Sequence, residues 1–250
     1  MEEKKQFILV TGASSGIGRH IAISLSKNHN VILNGRNQER LMEVKGMCSN
    51  ANSQLIFNFD LSGVEKLEAE LSAFIQNSNI EITQFVHCAG FMKMVPLKMI
   101  TLETLTSTYS TNTISAVLIL KALTNRKSNN SALRSAVFIS SNVSNFGAKA
   151  FSAYASSKAA LDSMMRCLAV ELAPKVRINS VLPGAIHTEM TSTIFENAET
   201  LERMLSSYPL GEGKPEDICS MVEFLLSEKS RWITGQQFTV DGGRTINISG

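Results

Sequence analysis

Cysteine, histidine and long apolar runs are all scarce in this 250-residue chain, and each scarcity removes a class of protein. The four cysteines (Cys48, Cys88, Cys167 and Cys219) lie far apart and form no C-x-x-C pair. Scattered thiols of this kind point to reduced cysteines and a cytoplasmic location rather than a disulfide scaffold. The four histidines (His20, His29, His87 and His187) show no metal-ligand spacing, so no metal site is expected. No apolar run nears the ~20 residues that span a bilayer. MEEKKQ followed directly by FILV lacks the apolar stretch and cleavage site of a signal peptide, so none is expected. The formal charge is +2, with the basic residues scattered, which leaves no electrostatic footprint for nucleic acid. What is present is the composition of an ordinary globular protein, 44% apolar and 18% charged, without linker, repeat or low-complexity segment.

Short apolar runs alternate with amphipathic stretches along the whole chain. Strands are expected at 7–10, 31–34, 54–59, 82–87, 136–140, 176–182 and 236–240, with helices at 16–27, 37–49, 63–76, 101–126, 152–172 and 215–227. In the third helix Val64, Leu67, Leu71, Phe74 and Ile75 recur at helical spacing. Pro174 stops the fifth, and Pro215, Glu216 and Asp217 suit the start of the sixth. Continuous apolar strands separated by helices predict βαβ units around a parallel sheet covered on both faces. The expected fold is one α/β domain over residues 1–250, a Rossmann-type doubly wound parallel sheet of about seven strands. Its N-terminal half is expected to bind a dinucleotide. Its C-terminal half is expected to hold catalytic residues and a substrate loop at about 190–212.

Between the first strand and first helix stands TGASSGIG, residues 11–18. A helix N-terminus at the carboxyl edge of a parallel sheet presents free N–H groups to a phosphate. Gly12 suits the tight turn, Gly16 a close backbone approach to pyrophosphate, and Gly18 the packing of helix on strand. After the second strand, VILNGRNQ offers no acid for ribose hydroxyls before Glu39, whereas Arg36 stands where a guanidinium can grip a 2′-phosphate. NADP(H) is therefore expected in preference to NAD(H), with Ser14 or Ser15 assisting. Asp60 either binds the adenine amino group or caps the next helix. In AYASSK, Tyr154 and Lys158 project from one helix face, one turn apart.

Taken together, TGASSGIG, the FDL turn, Asn112, SSNVS, Y-x-x-x-K, PGAIHT and VDGG resemble the classical short-chain dehydrogenase/reductase family over essentially the whole chain. The tail from LPGAIHTEM through PEDI to WITGQQFTVDGG resembles the branch containing β-ketoacyl-carrier-protein reductases. The resemblance implies a catalytic tetrad of Asn112, Ser141, Tyr154 and Lys158, with Ser141 chosen over Ser140 by its spacing of 13 residues before Tyr154. It implies that Tyr154 donates the proton, and that Lys158 lowers the Tyr154 pKa and holds the nicotinamide ribose. It further implies that Ser141 holds the substrate oxygen, and that Asn112 kinks its helix and anchors a relay water. Cofactor contacts are implied for Gly12, Ser14, Ser15, Gly16, Ile17, Gly18, Arg36, Asp60, Leu61, Ala89, Gly90, Tyr154, Lys158, Pro183, Gly184, Ile186 and Thr188. Ile186 and Thr188 are the carboxamide contacts. A homotetramer or dimer is also implied.

Three departures from the family pattern stand out. His87-Cys88-Ala89-Gly90 replaces Asn-Asn-Ala-Gly, which puts the tie at the centre of the sheet in question more than catalysis. Ser15 stands where NADPH-preferring relatives often carry a basic residue. PLGEGKPED places Glu212 at a usually basic position, and Arg126, Lys127, Arg134 and Lys175 match no docking arginine, so an acyl carrier partner is unsupported. Met92, Met94, Phe146 and Met190 lean toward an apolar acyl or other lipophilic carbonyl. The expected activity is NADP(H)-dependent interconversion of a small-molecule ketone and a secondary alcohol, most like a 3-oxoacyl thioester reductase. The alternatives are a dehydrogenase of a small or cyclic alcohol, sugar or steroid, and a non-catalytic NADP(H)-binding regulator or scaffold.

Overall fold

The computed structural model describes residues 4–192, 201–202 and 205–247. Seven parallel strands form one sheet in the order β3-β2-β1-β4-β5-β6-β7. They are β1 (Lys5–Thr11), β2 (Val31–Gly35), β3 (Leu55–Asn58), β4 (Ile80–His87), β5 (Ser135–Ile139), β6 (Arg177–Pro183) and β7 (Gln237–Val240). Alternate residues of the strands feed two cores. Leu9, Ile32, Phe85 and Phe138 point to one face, and Ile8, Val10, Leu33, Val86 and Val137 to the other. Burial on both faces explains why these strands read as unbroken apolar runs.

On one face pack α3 (Val64–Ser78), α5 (Ser115–Thr124) and α7 (Ser152–Leu172), through Leu67, Leu71, Ile75, Ile119, Leu123, Leu161 and Met165. The other face carries α1 (Gly16–Leu25), α2 (Gln38–Met47) and α8 (Pro215–Leu226), through Ile21, Leu25, Leu41, Val44, Ile218 and Val222. Local chemistry sets the helix starts. Asn37 caps α2 by accepting from the Arg40 N–H at 3.0 Å, and the Asp217 carboxylate accepts from the Lys214 N–H at 2.7 Å ahead of α8.

The long helix expected at 101–126 is instead two helices, α4 (Leu102–Tyr109) and α5, joined by a single π turn over Ser110–Ile114. A four-residue helix, α6 (Arg126–Asn129), follows. Asn112 lies inside the π turn, so the irregularity at the residue expected to kink this helix takes the form of a π turn. Of the substrate segment expected at 190–212, residues 193–200 and 203–204 lie outside the described residues. The remaining elements differ from the expected bounds by a few residues at their ends.

Candidate active site

The loops at the carboxyl ends of the strands enclose one cavity of about 1290 Å³. Every residue expected to contact cofactor lines it, from Gly12 through Arg36, Asp60 and Gly90 to Thr188. Ser141, Tyr154 and Lys158 line it too. Asn112 is wholly buried behind the wall.

Close backbone approaches build the glycine loop. Gly12 has φ +65°, and a Cβ there would sit 2.8 Å from the Ala89 Cα, so the loops after β1 and β4 touch. A Cβ on Gly18 would lie 2.3 Å from the Gly12 carbonyl oxygen. One on Gly16, at φ +51°, would meet Thr188 at 3.3 Å. No side chain caps α1 at Ser15 and no acid occupies its first turn, which leaves the positive helix end open to an anion. These features fit the pyrophosphate of a dinucleotide. Arg36 follows the end of β2, where the Ser14 hydroxyl would be 3.2 Å from a Cβ on Gly35. Asp60 does not cap α3, whose N-cap is Gly63. Its carboxylate accepts from the Ser62 N–H at 2.9 Å, within the turn that lines the cavity.

Asn112 spends its amide on structure. Its Oδ1 accepts from the Phe91 N–H at 2.6 Å, and its Nδ2 donates to the Phe91 carbonyl at 3.0 Å and to the Ser157 hydroxyl at 2.8 Å. Ser157 in turn donates to the Tyr154 carbonyl at 2.7 Å. The π turn is thereby tied to both the loop after β4 and the helix carrying the tyrosine. A Cβ on Gly90 would stand 3.7 Å from each of Asn112 Oδ1, Lys158 Nζ and Met190 Cε, so these three groups converge on one point.

Lys158 donates to the Ile139 carbonyl at the end of β5, 2.8 Å away, and its ammonium lies 5.9 Å from the centroid of the Tyr154 ring. The expectation that Lys158 depresses the Tyr154 pKa is not met. Burial pushes the phenol up to about 12, outweighing a hydrogen bond with Ser141 that lowers it. Burial also brings Lys158 down to about 8, against smaller opposing effects of Cys88 and Asp162. Desolvation dominates at both groups because each is almost wholly buried within the cavity wall.

His87 answers the question raised by the missing asparagine. The Thr11 hydroxyl oxygen accepts from the N–H groups of Cys88 and Ala89, both at 3.1 Å, and lies 3.1 Å from His87 Nδ1. With its oxygen so engaged, Thr11 donates its proton to Nδ1, which assigns the imidazole proton to Nε2. Burial, then the charge on Lys158, brings the His87 pKa down to about 3. Cys88 is a weak nucleophile, since burial pushes its thiol up to about 12.

Beyond β6, Gly184 packs where a Cβ would lie 2.9 Å from both Asp241 and Tyr208. Tyr208 accepts from the Ala185 N–H at 2.9 Å, and the Thr191 hydroxyl donates to the Ile186 carbonyl at 2.6 Å. His187 is an exposed loop residue. Sequence reasoning missed an ion pair across the cavity mouth, from Arg40 on α2 to Glu189 in the loop after β6. The placement of Arg40 one helical turn after Arg36 was its only legible signal. Arg244, also missed, lines the cavity just beyond β7.

A nucleotide-fitting glycine loop and a Ser–Tyr–Lys wall in one cavity of a doubly wound sheet define an oxidoreductase of the Rossmann type. Comparison with known proteins makes the assignment. A family model described as enoyl-(acyl carrier protein) reductase matches residues 12–245. A tropinone reductase homolog from Arabidopsis thaliana is 35% identical, over 96% of this chain and 92% of the relative. An L-xylulose reductase from Caenorhabditis elegans is 31% identical over 96% of both chains. The structure of 4-hydroxyisoleucine dehydrogenase complexed with NADH superposes with a TM-score of 0.89 at 26% identity, covering 96% of this chain and 99% of that one. The chain belongs to the classical short-chain dehydrogenase/reductase family, whose members bind NAD(P)(H) and act on CH–OH and C=O groups. Among the described residues, no helix is long and apolar enough to cross a membrane.

Proposed function

We propose that this protein is an NADP(H)-dependent reductase of a small-molecule ketone, also able to run as an alcohol dehydrogenase. The carrying observation is the gathering of Ser141, Tyr154 and Lys158 on the wall of the cavity that Arg36 also lines, with Asn112 buried behind it. When bound, the nicotinamide supplies or takes the hydride. Ser141 holds the carbonyl oxygen as negative charge develops there, and Tyr154 delivers its proton to that oxygen. Lys158 would hold the ribose hydroxyls of the bound dinucleotide, and its charge beside the phenol would oppose the burial that raises the Tyr154 pKa. Asn112 keeps the π turn and α7 in register.

The absence of an acid after β2, with Arg36 there instead, supports NADP(H). Two substrate readings remain in play. Relatives named an L-xylulose reductase and a tropinone reductase homolog support a sugar or cyclic ketone. Phe91, Met92, Phe146 and Met190 on the cavity wall support a 3-oxoacyl thioester. Exposed apolar residues in the π turn (Ile114) and on α7 (Met164, Val170), and near β7 (Trp232, Ile246), support a homotetramer built through two faces, testable by mass measurement in solution. A cytoplasmic location accords with four free cysteines.

The test follows NADPH and NADH oxidation with acetoacetyl thioesters, xylulose and tropinone, comparing wild type with Tyr154→Phe. Turnover with NADPH that Tyr154→Phe abolishes supports the reading, and the preferred substrate separates its two forms. Turnover that survives Tyr154→Phe sinks the tyrosine acid. NADPH binding without turnover of any ketone or alcohol favours a non-catalytic cofactor-binding role.

A further inference from the structure

One buried carboxylate lies outside the catalytic scheme. Asp162 sits on α7 one turn beyond Lys158 and two beyond Tyr154, and is 1% exposed. Its Oδ2 accepts from the Ser140 hydroxyl at 2.7 Å, while Oδ1 has no hydrogen-bond partner. Ser140 is itself 4% exposed and donates its backbone N–H to the Val181 carbonyl at 2.8 Å. It immediately precedes Ser141 at the end of β5. A carboxylate out of water with one oxygen unpaired is costly unless a positive charge compensates it.

The groups linked to Asp162 through Ser140 and Lys158 come from three elements. Tyr154 and Lys158 share its helix, His87 and Cys88 come from the end of β4, and Ser140 and the Ile139 carbonyl come from β5. The phenol and the thiol are both pushed up to about 12 by burial, and the imidazole is brought down to about 3. All three are uncharged at neutral pH. Lys158 is the cation of this cluster, and Asp162, one turn along the same helix, acts on it from beyond direct ion-pair distance.

Resting on the catalytic reading above, we infer that Asp162 is a positioning residue whose carboxylate, anchored by Ser140, is the fixed counter-charge of Lys158. Its role is to keep Lys158 an ammonium inside a wall that otherwise strips the proton. An ammonium is the form that donates to ribose hydroxyls and supports proton donation by Tyr154. Anchoring through Ser140 also ties the strand end bearing Ser141 to the helix bearing the other two residues. The carboxylate touches no reacting atom.

The test is the pH dependence of NADPH binding, read by fluorescence titration from pH 6 to 10 on wild type and Asp162→Asn, with reductive kcat/KM as a second readout. Asparagine keeps the shape and a hydrogen-bond acceptor for Ser140 but removes the charge. The alkaline pH at which NADPH binding weakens is expected to fall by ~1 unit, and the alkaline limb of kcat/KM to fall with it. Both limbs staying at their wild-type pH would overturn the inference and leave Asp162 a packing residue. Should Asp162→Asn fail to fold, the double variant Ser140→Ala/Asp162→Leu removes both polar partners together, a change that cores tolerate better. The same shift is expected of it, and an unmoved limb is equally fatal. Tyr154→Phe in parallel separates the two levels. If it retains turnover, the catalytic reading fails; if it is inactive while the limbs of the Asp162 variant stay put, only the counter-charge role fails.

Discussion

His87 keeps both ring nitrogens out of water, so acid must either charge it in place or favour the unfolded chain. Its native pKa is brought down to about 3 from 6.5, by burial first and then by Lys158. Protonation would also place a second donor against a Thr11 oxygen already holding two N–H groups. Between pH 6.5 and 3 the unfolded chain binds the proton and the native one does not. Stability from this group is therefore intact above 6.5 and drains as pH falls toward 3. Integrating the linkage gives a loss of roughly 2 kcal/mol between about pH 7 and pH 5, and about 3 by about pH 4. With a urea m-value of about 3 kcal/mol/M, the midpoint should drop by roughly 0.6 M over the first interval. Carboxylates also titrate in acid, so the measurement is a comparison with His87→Asn, whose amide oxygen still accepts from Thr11 but which cannot titrate. Urea melts of both proteins at pH 7, 6 and 5, at one protein concentration, should diverge in slope by that amount. Parallel curves would refute the argument, since they would mean that the imidazole titrates alike in both states.

Three further outcomes are expected. Arg36→Gln should raise KM for NADPH roughly ten- to hundred-fold, the worth of charged hydrogen bonds to a phosphate, with NADH unaffected; equal effects on both cofactors in steady-state kinetics would argue against a 2′-phosphate contact. Gly18→Ala would set its methyl 2.3 Å from the Gly12 carbonyl oxygen. It should cost about 3 kcal/mol, visible as a lowered Tm and weaker NADPH binding, and a wild-type melt would mean the loop relaxes freely. Asn129→Ala would strand the Ile82 N–H and the Ile82 and Leu123 carbonyls, which the side chain satisfies at 2.8, 2.8 and 2.9 Å. The expected loss is about 3 kcal/mol in denaturant melts, with NADPH binding to the folded fraction unchanged.

Periodicity and punctuation by themselves determined the order of seven strands and their intervening helices, because burial on both sheet faces writes itself into contiguous apolar runs. They also placed TGASSGIG at a strand-to-helix turn and Tyr154 with Lys158 on one helix face, since both features are local in the chain. A kink at Asn112 was implied only by resemblance and its π-turn form not at all, as no residue pattern in 101–126 marks where a helix takes an extra residue. Contacts between distant residues were illegible. Arg40 with Glu189, Ser140 with Asp162, and Thr11 with His87 are each joined only when separate crossovers bring strand ends together. The Tyr154 pKa was misjudged for the same reason. A neighbouring lysine is visible in sequence, whereas the loss of water that outweighs it exists only once the cavity wall has closed around both groups.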